Sequence, residues 1–353
     1  MDTKRIAIIT DSGTNVPPDF VAEHNIRITP LRINYSDGSS YESGITITPA
    51  ELVARFEEEV PKTSLPSPEG IKAAFDDAKA AGYEGAVYVA ISSGLSATCD
   101  TARMIAESIT DFPIYVDTKN IGIASGLIVI EAQRLIEQGL SLEEIGAKLD
   151  QASLNTRVYF SVPSLEYLRK GGRISEAIYR IGSMLNIKPV LTCDENGKYT
   201  IAKKTRGWQK SLAGQIALGA TFAQQFDRVH VGICCSAPNI IYSEMEAMIK
   251  EAIPNVTDFR YVEAGSDGCF LVKSMCGEKI FSPYAFRLQQ RLISKESLVV
   301  KKIGAVSSFS SQLIAALVKR MTGVALDPLE TYLMVFHGGK QTLPKINVFD
   351  RLF

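Results

Sequence analysis

The sequence predicts an α/β protein built as two lobes, an N-terminal sheet domain with helices on both faces and a second α+β domain, followed by an extension. Three observations carry that expectation. Strand-like apolar runs alternate with helical segments of ten or more residues up to about Asn155, the pattern of a parallel or mixed sheet covered on both sides. Beyond that point the strand signals become shorter and closer together. The 353 residues also exceed what one core of roughly 100–200 residues contains, which gives expected boundaries at 1–157, 158–287 and 288–353.

Arg5 to Ile9 reads as a buried strand, Arg27 to Tyr35 as a second, Ala86 to Ile91 as a third and Pro113 to Val116 as a fourth. Thr48-Pro49-Ala50-Glu51 starts a helix: a capping hydroxyl, a proline in the first turn, and a glutamate placed to close a capping box. Ser67-Pro68-Glu69 and Ser141-Leu142-Glu143-Glu144 repeat the signal. The apolar run Gly122 to Gly126 suits a helix packed on a neighbour. In the second domain, strands are expected at Val158 to Val162, Lys188 to Cys193, Tyr199 to Lys203 and Arg228 to Cys234, with Asp194-Glu195-Asn196-Gly197 as a hairpin turn. Leu313 to Val318 reads as an apolar helix in the extension.

Charge excludes some functions. Lys and Arg total 38 against 39 Asp and Glu, so no global field recruits nucleic acid or an anionic bilayer, and any anion site is local. No signal peptide or membrane span is visible. The six cysteines show no CxxC spacing and the histidines number three, which argues against a metal site or a disulfide framework and fits a reduced, cytoplasmic setting.

The chemistry-bearing residues are hydroxyls near strand and helix ends. Thr10-Asp11-Ser12 and Ser92-Ser93-Gly94 fall at carboxyl ends of predicted strands, where α/β sheets bind ligands. Thr63, Ser64, Ser92, Ser93 and Ser96 can donate hydrogen bonds to a carboxylate while nearby backbone N–H groups add partial positive charge. Singly, Ser67 and Ser96 are explained as helix caps. Neither a nucleophile elbow nor a phosphate loop is present, since Thr98 stands where the elbow wants glycine and no GxxxxGKS or GxGxxG occurs. Arg169, Lys170 and Arg173, with Arg180, Lys203, Lys204 and Arg206, concentrate basic charge suited to steering an acidic partner.

In order and spacing, Thr10-Asp11-Ser12, Asp37-Gly38, Lys62 to Ser67, Ser92 to Ser96, Val116-Asp117-Thr118, Leu165 to Ser175, Leu185 to Pro189 and Arg206-Gly207 resemble the DegV family of fatty-acid-binding proteins. The resemblance runs from Ile6 to about Phe281. It implies the two-domain DegV architecture, with a long-chain fatty acid of roughly C14 to C18 between the domains. Its carboxylate would be held by Thr63 and Ser93, with Ser64, Ser92, Gly94, Asp11 and Ser12 beside them. Arg169, Lys170, Arg173 and Arg206 would face a partner, in many relatives a separate fatty acid kinase that phosphorylates the carboxylate. The protein itself would perform no chemistry and need no cofactor. Tail-lining candidates are Ile91, Leu95, Ile121, Leu127, Ile130, Ile181, Met184 and Leu185. The family's closing His-Thr-Gly-Pro-Gly-like segment is not matched: Lys273-Ser274-Met275-Cys276-Gly277-Glu278 has neither the His nor the Pro. The alternative is a kinase or phosphotransferase subunit, from the wider resemblance to dihydroxyacetone-kinase-like domains, with Asp11 and Asp117 as carboxylates at strand ends.

Overall fold

The computed structural model describes residues 5–263 apart from 56–57, 110, 118, 163, 183–186 and 236–239. The chain runs β1 (Ile6–Asp11), α1 (Pro18–Glu23), β2 (Arg27–Thr29), β3 (Arg32–Asn34), β4 (Ser40–Glu42), α2 (Pro49–Arg55), β5 (Lys62–Ser64), α3 (Pro68–Ala80), β6 (Gly85–Val89), α4 (Thr98–Glu107), β7 (Ile114–Asp117), α5 (Ile123–Glu137) and α6 (Leu142–Leu154). It continues through α7 (Glu166–Lys170), α8 (Glu176–Gly182), β8 (Val190–Cys193), β9 (Tyr199–Lys203), α9 (Trp208–Ala223), β10 (Val229–Cys235), α10 (Ile240–Ala252) and β11 (Val256–Glu263).

Four parallel strands in the order β2-β1-β6-β7 form the central sheet. Successive side chains of a strand point to opposite faces, so one apolar run feeds two cores. Ile6 and Ile8 of β1 and Val87 and Val89 of β6 pack with Ile128 and Val129 of α5 and Ile145 and Leu149 of α6. Ala7, Ile9, Ala86 and Tyr88 face the other way, onto Ile71 and Phe75 of α3 and Cys99 and Ala102 of α4. The fold is α/β, with helices on both faces of the sheet as the sequence predicts. Its helix starts also follow the sequence. Ser67 accepts from Gly70 N, Thr48 and Glu51 bond reciprocally, and Ser141 and Glu144 form a full capping box.

Two expected strands are corrected. Arg27 to Tyr35 is not one strand: it divides at Pro30, which has no N–H to give a ladder. β2 stays in the parallel sheet, whereas β3 turns away into an antiparallel sheet of order β4-β3-β5. Val158 to Val162 forms no ladder; Phe160 alone bridges to Leu191.

Beyond α6, β8 and β9 form the expected hairpin, its turn closed by Asp194 Oδ1 accepting from Asn196 N and Lys198 N at 2.9 Å each. The parallel pair β10-β11 carries α9 and α10 through Ala223, Ile233, Ile249 and Ile253. The expected boundary at 287/288, the extension, Leu313 to Val318, Met184, Leu185 and Lys273 to Glu278 lie outside the described residues.

Replacing Ser141 with Ala removes the α6 capping box and is expected to lower unfolding free energy by about 1 kcal/mol in urea denaturation. Burial, with Asp194 adding to it, pushes the Cys193 thiol up from 9.0 to about 12. The fold accommodates the neutral thiol, so this contribution to stability is full below pH 9.0 and is lost as pH rises toward about 12. Thiol labelling of the folded protein at mild alkaline pH is expected to modify exposed Cys234 and spare buried Cys99 and Cys193.

Candidate functional site

Parallel strands bring their carboxyl ends to one edge of the sheet, and there β1 and β6 are joined by a carboxylate. Asp11, with no exposed surface, accepts from Ile91 N at 2.7 Å through Oδ2 and from Gly13 N at 2.9 Å through Oδ1. One side chain therefore fixes both the helical turn Ser12–Thr14 and the start of the loop after β6. Ser12 Oγ accepts from Leu31 N at 3.0 Å, holding the segment that leads to β3. Beneath them the Tyr88 hydroxyl lies 2.6 Å from Thr29 Oγ1, and burial first, the Asp11 charge second, raise its pKa well above the ordinary phenol value.

The loop Ser92 to Ser96 is wound around Ser92. Its backbone N donates to Asn120 O, its Oγ donates to Gly197 O at 2.9 Å, and the same Oγ accepts from Gly94 N at 3.1 Å. Leu95 N and Ser96 N both donate to Ser92 O, and Ser96 Oγ accepts from Thr98 N at the start of α4. Gly94 lies so close to the β8–β9 turn that a Cβ there would stand 2.5 Å from Asn196 O. Ser93, exposed at the tip, has no hydrogen-bond partner for its hydroxyl among the described residues.

Thr63 and Ser64 are neighbours in β5 and so point to opposite faces. Thr63 pairs with Ile33, which pairs in turn with Tyr41, so these three form one row on the face that carries the Ile33, Tyr35, Ile47 and Leu52 core. Its hydroxyl, half-buried, is likewise without a partner among the described residues. Ser64 accepts from Asn34 Nδ2 at 2.9 Å on the far face, in a network with Ser40 and Arg32. Of the seven sequence-predicted ligand residues, five thus have internal partners or close backbone neighbours. Strand alternation puts Ser64 and Thr63 on opposite faces, and the Ser92 hydroxyl and Gly94 meet the hairpin.

Residues 5–270 match the family model described as "Uncharacterised protein, DegV family". The chain belongs to the DegV family. A DegV domain-containing protein of Clostridium perfringens is 39% identical over 210 residues, covering 59% of this chain and 74% of that one. Among solved structures, a DegV family protein from Thermus thermophilus described as fatty acid binding shares 28% identity, with a TM-score of 0.67 over 76% of this chain and 95% of that one. A Thermotoga maritima protein whose structure is described as revealing fatty acid binding function shares 26%, with a TM-score of 0.63 over 76% and 95%.

Within this DegV fold the four expected partner-facing cations fall into different settings. Arg173 is half-buried, its Nε donating to Leu95 O at 3.2 Å. Arg169 lies 3.7 Å from Glu176 and 4.4 Å from the Tyr179 ring centre, and Lys170 pairs with Glu166 at 2.7 Å. Arg206 is exposed and lines a concavity of about 400 Å³ with Lys203, Lys204 and Lys210. Lys203, Lys204, Arg206 and Lys210 have no ion-pair partner among the described residues. Of the lining candidates, Leu95 and Ile121 pack with Val162, Leu191 and Tyr199, and Ile91 is buried beside Gly13. The sequence reading missed the Arg173 bond to Leu95 O and the docking of the hairpin tip on the Ser92 loop. Gly94 and Gly197 were the signal available.

Asp11→Ala is expected to leave two buried N–H groups unpaired and to lower stability by about 2 kcal/mol or more, measured by chemical denaturation.

Proposed function

We propose that this DegV chain binds a long-chain fatty acid and carries it unaltered, its carboxylate held by the Thr63 and Ser93 hydroxyls. The observation that carries this reading is selective: among the described residues, the Thr63 and Ser93 hydroxyls are left without partners while Ser12, Ser64 and Ser92 serve the fold. The likeness to the Thermus and Thermotoga proteins supports the ligand class. Neutral hydroxyls suffice for the head, because a tail of about 15 methylenes at roughly 0.8 kcal/mol each offers on the order of 10 kcal/mol before association entropy is subtracted. Hydroxyls also release a carboxylate more readily than a bidentate arginine does. The tail would lie between the two lobes, near Ile91, Leu95 and Ile121.

A carrier needs a recipient, and the cations of the Arg206 concavity suit an acidic protein surface, the kind of surface a fatty acid kinase subunit would offer. Charge reversal at Arg206 and Lys210 is expected to abolish salt-sensitive capture of such a partner while leaving lipid binding intact, measured by pull-down with the loaded protein.

Native mass spectrometry of freshly purified protein is expected to show one fatty acid per chain. Thr63→Ala combined with Ser93→Ala is expected to weaken palmitate binding by about 1–3 kcal/mol in titration calorimetry. An empty protein that rejects palmitate, or unchanged affinity in the double variant, would overturn the reading.

A further inference from the structure

We propose that the tip of the β8–β9 hairpin is a latch that positions Ser93, so that the head-group grip requires contact from the second half of the fold. The inference rests on the reading of Ser93 as a head-group ligand and adds the group that sets its geometry. The Ser93 hydroxyl has no hydrogen-bond partner among the described residues; its neighbours on both sides are held instead. Before it, Ser92 Oγ donates to Gly197 O at 2.9 Å, and Ser92 O closes the loop through Leu95 N and Ser96 N. After it, Gly94 lies against the Asn196 and Gly197 backbone, and Leu95 O accepts from Arg173 Nε at 3.2 Å. The Leu95 side chain is buried among Val162, Leu168, Ile174, Leu191 and Tyr199, all from beyond α6.

The fit leaves no spare room. Gly197 has φ +70°, and a Cβ on it would stand 1.9 Å from Ser92 Oγ. A Cβ on Gly94 would stand 2.5 Å from Asn196 O, a backbone atom that cannot rotate aside. The first half of the fold reaches this loop before Ser93 through Asp11 at Ile91 N and Asn120 at Ser92 N, and after it through Thr98 N at Ser96 Oγ and Ile121 in the Leu95 cluster, none of which touches Gly94. Thr63 is positioned separately, by β3. Withdrawing the hairpin would therefore release Ser93 while leaving Thr63 in place, a route by which separation of the two halves lets the ligand go.

The test uses the full chain with tritiated palmitate as probe and phosphatidylcholine vesicles as acceptor, in wild type, Ser92→Ala, Gly94→Ala and Gly197→Ala backgrounds. Each latch variant is expected to release palmitate about tenfold faster, the order set by one lost charge-assisted hydrogen bond. Adding Ser93→Ala to a latch variant is expected to change release by less than about twofold, whereas adding Thr63→Ala keeps its full effect. Ser93→Ala acting as strongly in the latch variants as in wild type would overturn the proposal. Ser92→Ala introduces no clash and stands in if a glycine variant fails to fold. Amide exchange in ligand-free protein gives a second readout: exchange at Gly94, Leu95 and Ser96 is expected to rise in Ser92→Ala and Gly197→Ala, and unchanged exchange would overturn the latch. If wild type rejects palmitate, the carrier reading and the positioning of its ligand fail together, while this exchange separately reports the contact.

Discussion

A single buried carboxylate organises the carboxyl edge of the central parallel sheet. Asp11 ends β1, and because β6 runs parallel beside it, the two strand ends arrive side by side with backbone N–H groups that the sheet no longer pairs. Accepting from Gly13 N and Ile91 N removes two orphan donors at once and commits both loops to one geometry. Some hydroxyls further along those loops are then committed to the structure. Ser12 holds the entry to the antiparallel sheet and Ser92 holds the hairpin.

The second constraint is steric. Glycine is required at 94 and 197 because two backbones meet there, and Gly197 also closes the hairpin turn at positive φ. Around them Leu95 inserts into the core beyond α6 and Arg173 supports the loop from the α7–α8 connection. An arginine that reads in the sequence as a surface cation is, in the folded chain, a strut for the loop bearing Ser93.

Much of the fold was legible because its signals are local or periodic. The buried runs of β1 and β6, the caps at Thr48, Ser67 and Ser141, and the Asp194 to Gly197 turn each depend on residues within a few positions. The division at Pro30 shows where apolar patterning misleads: Arg27 to Tyr35 is continuous in hydropathy, but one missing donor sends its halves to different sheets. The candidate site reads in the sequence as a set of hydroxyls, and their arrangement does not. Alternation along β5 separates Thr63 from Ser64, and which hydroxyls are consumed by the fold depends on partners as remote as Gly197, which lies 105 positions from Ser92.

The measurement that bears most directly on this account is a crystal structure of the protein with bound palmitate. The carboxylate is expected within about 3 Å of both Thr63 Oγ1 and Ser93 Oγ, with the Ser92–Gly197 hydrogen bond intact and the acyl chain running between the two halves of the fold. A carboxylate seated away from both hydroxyls, or held by an arginine or lysine in their place, would contradict it.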